Sequence, residues 1–565
     1  APENDDAKGI SVLCSVCQQA IYPYHLFYHK KTHKALTLLG YDSSQARVDN
    51  ETLLAQRQKL ISKLNKLPKY SERHRQKIDY SFEFLLNDHT LTSYCDLDNT
   101  NSLNTLIKVK NSSIKALSIC QDKNSMWQGD MEDRFFVVDN YGNRSDTCFL
   151  GLTDGYHGAT AAETVAAELP LLFLDQLAQT DSSYRKTKEE QQILDSFATV
   201  ITEDYKEKEK IFFDRQEKTN KTNTYKWIHK AYAKSFWRMD RLLRLGRNEA
   251  SKVRWSGCSV VTCLMETLPN ENMDGTKERK HSENSMHGSL TRTTKDVAGL
   301  LHIANTGNVH AILCKNGKSY RLSKEHSTSS VSERNRILQN GGNISTNEPD
   351  GLVEGHLRTT RGLGYHGDPV LKRSVIPVPH SISVPIDDSC QFLILASHGL
   401  WEVLDYNAVC ALTLSMFTDY LKMYECVQRN GASLHNWQYL MATSEEGSND
   451  SKTTNDLQDG MEMLDSNKEI FLTVSKGNLT QRNCTDQQLL KTTLPVDCNP
   501  PTHFEEDTKT YLSNCESQIA GKGRVTSETL YDNAASYISE QLVKTALAAG
   551  SRDNITILIV LLNGC

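Results

Sequence analysis

Residues 550–561, GSRDNITILIVL, join a turn to an apolar run and decide the fold. Gly550 ends a helical pattern over 528–549, as glycine commonly does after the last turn of a helix. The run from Ile555 is rich in β-branched residues and predicts a strand. Asp553 therefore stands directly before a strand.

Further strand signals recur along the chain. Short apolar or alternating runs, bounded by Gly, Asn, Asp or Ser, occupy 135–138, 148–152, 260–265, 300–304, 311–314 and 392–396. Helical patterns over 159–178 and 225–245 lie between them. Many short strands with few helices predict an α+β fold of two sheets flanked by helices.

Acidic residues stand at the ends of three of these strands. Glu132-Asp133 precede one strand, Asp154-Gly155 follow the next, and Asp553 precedes the last. Carboxylates on rigid strand ends can converge on Mg²⁺ or Mn²⁺, which prefer oxygen ligands. Two such ions a few Å apart can clamp a phosphate and activate a water molecule. A single junction of this kind is more often a turn or a cap, so only the whole set indicates a metal site.

In eight ordered blocks the chain resembles the type 2C metal-dependent Ser/Thr phosphatases. The resemblance runs through 113–562, polar inserts excluded, and implies a β-sandwich of two antiparallel sheets with helices outside and metals in a cleft at one end. The blocks are 131–133, 153–158, 256–260, 305–307, 333–342, 360–364, 395–402 and 550–556.

The resemblance also implies which positions hold the metal pair. Four of them match the family, namely Glu132, Asp154, the Gly155 carbonyl and Asp553. A further metal-binding Asp of the family is replaced by His398, and the Asp that helps a third metal is replaced by Asn308. The Arg that pairs with substrate phosphate is Gln128, and the proposed general acid is Tyr156, with His157 one place later.

These departures weaken the implied activity. His398 removes a negative charge from a site that must hold four positive charges, and neutral imidazole suits zinc, copper or nickel better than Mg²⁺. The amide of Gln128 cannot replace a bidentate guanidinium. The sequence therefore predicts a pseudophosphatase that binds phosphoproteins or signalling proteins. The retained carboxylates leave open a Mg²⁺/Mn²⁺-dependent Ser/Thr phosphatase with a rewired site, with Tyr156 or His157 as the proton donor.

A Cys/His cluster near the start of the chain predicts a second metal site. The spacing Cys14-x2-Cys17-x11-His29-x3-His33 is close to that of a two-Cys, two-His zinc finger. The central spacer is one residue short of the usual twelve, and His25 is a rival ligand. A fortuitous cluster is the alternative. One finger reads about three base pairs, too few to specify DNA alone.

Composition divides the chain into three regions. We expect a zinc-finger-like segment over 1–40, a basic helical region over 41–112 and a phosphatase-like domain over 113–562, interrupted by polar inserts at 268–295 and 428–525. Inserts of this composition are expected to be mostly disordered. An apolar stripe over 51–67 predicts a helix that packs on its own domain or binds a partner.

Charge and cysteine content narrow the class of protein. The chain has 565 residues, 15 cysteines and a net charge of −6, which gives no global attraction to nucleic acid or anionic membrane. It has no run of 18 apolar residues and no signal segment. Reduced thiols in an intracellular compartment, cytoplasmic or nuclear, are therefore expected. Because it begins with Ala1, we expect a fragment or a processed form.

Overall fold

The computed structural model describes residues 11–14, 16–42, 48–66, 71–87, 102–197, 224–245, 253–268, 297–346, 350–430, 472–475 and 527–565. The strands are β1 (Ser11–Cys14), β2 (Ala20–Ile21), β3 (Leu103–Ile107), β4 (Ile114–Asp122), β5 (Arg134–Val138), β6 (Thr147–Tyr156), β7 (Gly257–Thr267), β8 (Val297–Thr306), β9 (His310–Lys315), β10 (Lys318–Arg321), β11 (Leu363–Gly364), β12 (His380–Asp387), β13 (Cys390–Ala396), β14 (Leu472–Ser475) and β15 (Ile555–Leu562).

The helices alternate with these strands. They are α1 (Pro23–Leu38), α2 (Asn50–Leu64), α3 (Ser71–Leu86), α4 (Thr160–Thr180), α5 (Lys188–Ser196), α6 (Lys226–Leu245), α7 (Val331–Gln339), α8 (Pro369–Ser374), α9 (His398–Trp401), α10 (Tyr406–Asn430) and α11 (Ser527–Ala548). Local signals set several of their ends. The Asp49 carboxylate accepts a hydrogen bond from Thr52 N at 2.8 Å to begin α2, and Gly550, at φ +88°, follows the end of α11.

Two antiparallel sheets form the centre of the molecule, which confirms the predicted α+β sandwich. The strand order is β10-β9-β13-β15-β4-β3 in the first sheet and β12-β8-β7-β6-β5 in the second, where β11 also pairs with β7. The first sheet takes in β3, which lies within the 41–112 region expected to be helical.

Alternate side chains along each strand face two different hydrophobic cores. In β15, Leu558 and Val560 face the core between the sheets, whereas Ile557 and Ile559 face α10 and α11 on the outside. In β6, Leu150 faces the core between the sheets, while Phe149 packs against α4 and α6. The period-two alternation of strands therefore gives four layers, with helices outside both sheets.

The N-terminal residues form a small unit of two strands and a helix. A hairpin of β1 and β2 leads into α1, and β1 also pairs with β14, which lies within the 428–525 insert. Apart from β14, Leu268 and residues 428–430, the two predicted inserts at 268–295 and 428–525 lie outside the described residues.

The apolar stripe of 51–67 packs within the chain. Leu53 is buried in a cluster with Leu39 and Ile78, so α2 lies against the end of α1 and against α3. Leu67 lies outside the described residues. No helix within the described ranges is long and apolar enough to cross a lipid bilayer.

Candidate functional site

The acidic residues at the strand ends meet at one end of the sandwich. Asp154 lies near the end of β6, opposite Ser259 of β7, and Asp553 lies two residues before the start of β15. His398 begins α9, two residues after the last residue of β13, and its backbone N donates to Asp154 Oδ2 at 2.9 Å. Three separate chain segments therefore converge on Asp154.

A third aspartate completes this acidic group. Asp133 is buried, and its Oδ2 accepts a hydrogen bond from Thr556 Oγ1 at 2.8 Å. Burial raises the pKa of Asp133 to about 7, and the charge of Asp553 adds to the shift. Burial, followed by the charges of Asp133 and Asp553, also raises the pKa of Asp154 well above its ordinary value. Carboxylates crowded in this way favour protonation, or a cation among them.

Asp133 is not one of the metal positions that the family resemblance implies. The sequence pattern that indicates Asp553, an acidic residue just before an apolar strand, is also present at Asp133. In the neighbouring Glu132, Oε1 accepts a hydrogen bond from Gly158 N at 2.9 Å. A Cβ added at Gly155 would lie 2.5 Å from Glu132 O, so the end of β6 fits here only with glycine.

Asn554 fastens the loop that carries Gln128 and Glu132. Its Nδ2 donates to Lys123 O at 2.7 Å and Asp130 O at 3.1 Å, while its Oδ1 accepts from Glu132 N at 2.9 Å. Both N–H groups and the oxygen of this buried amide therefore make hydrogen bonds. They hold residues 123–132 to the residue directly before β15.

Replacing Asn554 with Ala is expected to lower the free energy of unfolding by ~2–4 kcal/mol, since the variant leaves buried backbone groups unpaired. Asn554→Asp should be nearly as harmful because a carboxylate cannot donate to the two carbonyls. Chemical denaturation measures both variants, with the exposed Asn563→Ala as control. Equal stabilities of wild type and Asn554→Ala would contradict this role.

The Gln128 side chain bridges two segments at this end of the sandwich. Its Nε2 donates to Arg552 O at 2.8 Å, so the amide joins the loop to the segment before Asp553. The Arg552 guanidinium lies 4.6 Å from the Trp127 ring centre, within reach of a cation–π contact. The Gln128 side chain thus has a structural contact in place of a phosphate contact.

The two substituted metal positions lie beside the acidic group. Asn308 N donates to Ser259 Oγ at 3.2 Å, and Ser259 pairs with Asp154 in the sheet. His398 Nδ1 and Asn308 Oδ1 are both buried, and neither has a hydrogen-bond partner within the described part of the chain. Both atoms can therefore still accept a ligand or a water molecule.

Tyr156 and His157 stand at the rim of the same end. Their ring centres lie 4.2 Å apart, and 39% of Tyr156 is exposed. Burial and then the charge of Glu132 raise the pKa of Tyr156, so its hydroxyl stays protonated at neutral pH. The residue that replaces the general acid therefore keeps a proton to donate.

The four predicted zinc ligands also come together, at a separate place. The ligand atoms of Cys14, Cys17, His29 and His33 all lie within 4.8 Å of one another, so this cluster can hold a metal ion. His25 is not part of the group. Among the described residues, no other three Cys, His, Asp or Glu side chains form such a group.

Comparison with known proteins agrees with this fold. The family model for protein phosphatase 2C matches residues 248–430. Together with the near full-length relatives described next, this match shows that the chain belongs to the protein phosphatase 2C family, whose members generally depend on Mg²⁺ or Mn²⁺.

Two curated relatives share nearly the whole chain. It is 41% identical over 570 residues to the human protein phosphatase 2C-like domain-containing protein 1, covering 99% of this chain and 90% of that protein. The mouse protein of the same name is 37% identical over 559 residues, covering 98% and 88%. Protein phosphatase 2C homolog 1 of Saccharomyces cerevisiae is 26% identical over 298 residues, covering 52% and 81%.

Proposed function

We propose that this protein is a pseudophosphatase, a phosphatase 2C fold that binds phosphoproteins or signalling proteins without hydrolysing them. The observation that carries the proposal is the surrounding of Asp154. The segment that should supply a second shared carboxylate supplies His398, whose backbone N donates to Asp154 Oδ2. Asp154 is left with an imidazole where the family pattern has a carboxylate.

The residues do not fit a pair of hard divalent ions. Two ions bring four positive charges, and His398 and Asn308 each remove one of the negative charges that would balance them. A two-ion site is cooperative, so the loss of several members is seldom compensated by the rest. We therefore derive no hydrolytic step that uses two ions.

The phosphate anchor is also altered. Because Gln128 Nε2 already donates to Arg552 O, the side chain would have to break that bond to reach a substrate. A neutral amide would then offer one hydrogen bond where a guanidinium offers two with a charge. Substrate phosphate is thus expected to bind more weakly and in a less defined orientation.

The second candidate is an active Ser/Thr phosphatase with a rewired site. The crowding of Asp133, Asp154 and Asp553 favours it. Burial, followed by the charges of Asp133 and Asp553, raises the pKa of Asp154, and one cation would balance these charges. Glu132, Asp154, Asp553 and the Gly155 carbonyl fit one Mg²⁺ or Mn²⁺ ion. Such an ion supplies Lewis-acid activation of water when bound. Tyr156 or His157 would then donate a proton to the leaving group.

Two further assignments belong to this proposal. We propose zinc as the metal of the N-terminal Cys/His cluster, since two thiols and two imidazoles are donors that zinc prefers. For the cell compartment we propose the cytoplasm or the nucleus, where cysteines stay reduced, because the cysteines described in the structure are free thiols.

The decisive experiment compares wild type with Asp154→Asn. Hydrolysis of a phosphothreonine peptide by the full chain is measured in Mn²⁺, Mg²⁺ and Zn²⁺, beside binding of the same peptide with and without its phosphate. We expect equal background rates for the two proteins, and binding that requires the phosphate. A wild-type rate clearly above that of Asp154→Asn would overturn the pseudophosphatase proposal in favour of the second candidate.

A further inference from the structure

We infer that Cys14, Cys17, His29 and His33 form a closed structural zinc site built into the hydrophobic core of the phosphatase-like fold. The inference rests on the zinc ion proposed above and is independent of whether the cleft is catalytic. Its consequence is that zinc binding at the N-terminal segment contributes to the stability of the large sandwich.

The distances between the ligand atoms match a tetrahedral zinc site. Zn–N bonds of ~2.0–2.1 Å and Zn–S bonds of ~2.3 Å place two nitrogens about 3.3 Å apart and a nitrogen and a sulfur about 3.5 Å apart. In the structure, His29 Nε2 and His33 Nε2 lie 3.0 Å apart. Cys14 Sγ lies 3.5 Å from His33 Nε2, and Cys17 Sγ lies 3.4 Å from His29 Nε2.

Local structure holds the ligands in this arrangement. The turn after β1 is closed by hydrogen bonds from Gln18 N to Cys14 O at 2.7 Å and from Cys14 N to Gln19 O at 2.8 Å. His29 and His33 are one helical turn apart on α1 and therefore share a face.

The cluster is continuous with the core outside the first sheet. Cys14 and Leu26 are fully buried in the same hydrophobic cluster as the side chains of β13, β15, α10 and α11. Cys17 and Ile21 pack against its edge. Two of the four ligands thus contact the core of the sandwich directly, which a freely moving zinc finger would not do.

Polar and aromatic contacts hold α1 on both sides. Lys30 Nζ lies 3.0 Å from Asp405 Oδ2, and each side chain is only 18% exposed. Asp405 directly precedes α10, so this ion pair joins α1 to the sandwich. Tyr28 stacks on Phe84 of α3 with ring centres 6.5 Å apart. Since α1 contacts both α3 and the sandwich, it is held between two parts of the chain.

Zinc binding and folding of the core are therefore linked. The ion requires both the hairpin and α1 in place. When they are in place, Leu26 of α1 is buried against the adjacent part of the core. A metal that binds only the folded state stabilises whatever folds together with its site. Loss of zinc should loosen α10 and α11 as well as residues 11–38.

The test uses the full chain, with metal content by mass spectrometry and hydrogen exchange of α11 and β15. We expect one zinc per chain, tetrahedral cobalt absorption with a thiolate band after substitution by Co²⁺, and loss of zinc in His29→Ala but not in His25→Ala. Removing zinc from wild type by chelation should lower Tm by about 5–10 °C and speed exchange in α11. Because chelation acts on the wild type, the result stands even if His29→Ala fails to fold.

Two outcomes would overturn the inference in different ways. Wild type without stoichiometric zinc would remove the metal site itself. One zinc per chain, with chelation speeding exchange only within residues 11–38, would keep the metal site but overturn its connection to the core. Neither outcome bears on the comparison of wild type with Asp154→Asn, so the pseudophosphatase proposal is tested separately.

Discussion

Glu333→Gln is expected to lower the free energy of unfolding by ~3–5 kcal/mol, because it leaves buried guanidinium charges without their partner. The Glu333 side chain is 2% exposed and accepts two hydrogen bonds from Arg361, at 2.7 Å from Nη2 and 3.0 Å from Nε. Arg336 Nη2 and Thr360 Oγ1 also donate to it. Chemical denaturation of the full chain measures the effect.

The pH dependence of the free energy of unfolding provides a second test of this prediction. Burial alone would raise the pKa of Glu333, but the hydrogen bonds and charge of Arg361, with the charge of Arg336, lower it to about 2. A glutamate has a pKa near ~4.3 when unfolded, so its stabilisation is present above that pH and is lost as the pH falls toward 2. The stability gap between wild type and Glu333→Gln should therefore narrow below about pH 4.

Glu163→Gln is the matched control. Glu163 is 67% exposed, and its ion pair with Arg134 is long, at 3.9 Å. Exposed pairs contribute about 0–1 kcal/mol, so this variant should behave like wild type. A loss of less than about 1 kcal/mol in Glu333→Gln would show that the network does not hold α7 to the segment before β11.

His398→Asp is expected to tighten Mn²⁺ binding by roughly 10–100-fold, the range that changes near a metal commonly produce. The new carboxylate restores the negative charge that the family pattern places beside Asp154. It also adds to the existing crowding, so the variant without metal should be less stable than wild type. Titration calorimetry with Mn²⁺ and thermal unfolding with and without the ion measure the two effects.

The control for this prediction is His398→Asn. Asn has the shape of Asp without its charge, so it separates loss of the imidazole from gain of a carboxylate. Mn²⁺ should stabilise His398→Asp far more than His398→Asn. Equal Mn²⁺ affinities in the two variants would mean that charge at this position does not limit the site.

Most of the fold was predictable because the strands of the core are apolar on both faces. The runs at 392–396 and 555–561 were predicted as strands, and the structure places them side by side as β13 and β15. In the two large sheets, the runs predicted as strands did not include β3, β4, β10, β11 and β12. Three of these, β3, β10 and β12, form sheet edges, and in β12 Pro385 interrupts a polar pattern. Edge strands bury less apolar surface, so their sequence signal is weaker.

The candidate site was predictable as a set of positions and less so as a set of contacts. Motif order identified Asp154, Asp553 and His398, and the structure places them at one end of the sandwich. No pattern in the sequence indicates that Gln128 donates to Arg552 O, or that Glu333 pairs with Arg361. Those contacts depend on segments that meet only after the sheets have packed.

The position of β15 has a consequence for synthesis on the ribosome. This strand lies between β4 and β13 in the first sheet, yet more than 430 residues separate Thr556 from its partner Gln121. Until residues 555–562 leave the exit tunnel, β4 and β13 each lack a neighbour and present open backbone edges. We expect chaperones to bind the nascent chain at that stage, because these edges are exposed. A message with a stop codon before Ile555 would yield two half-sheets that cannot join.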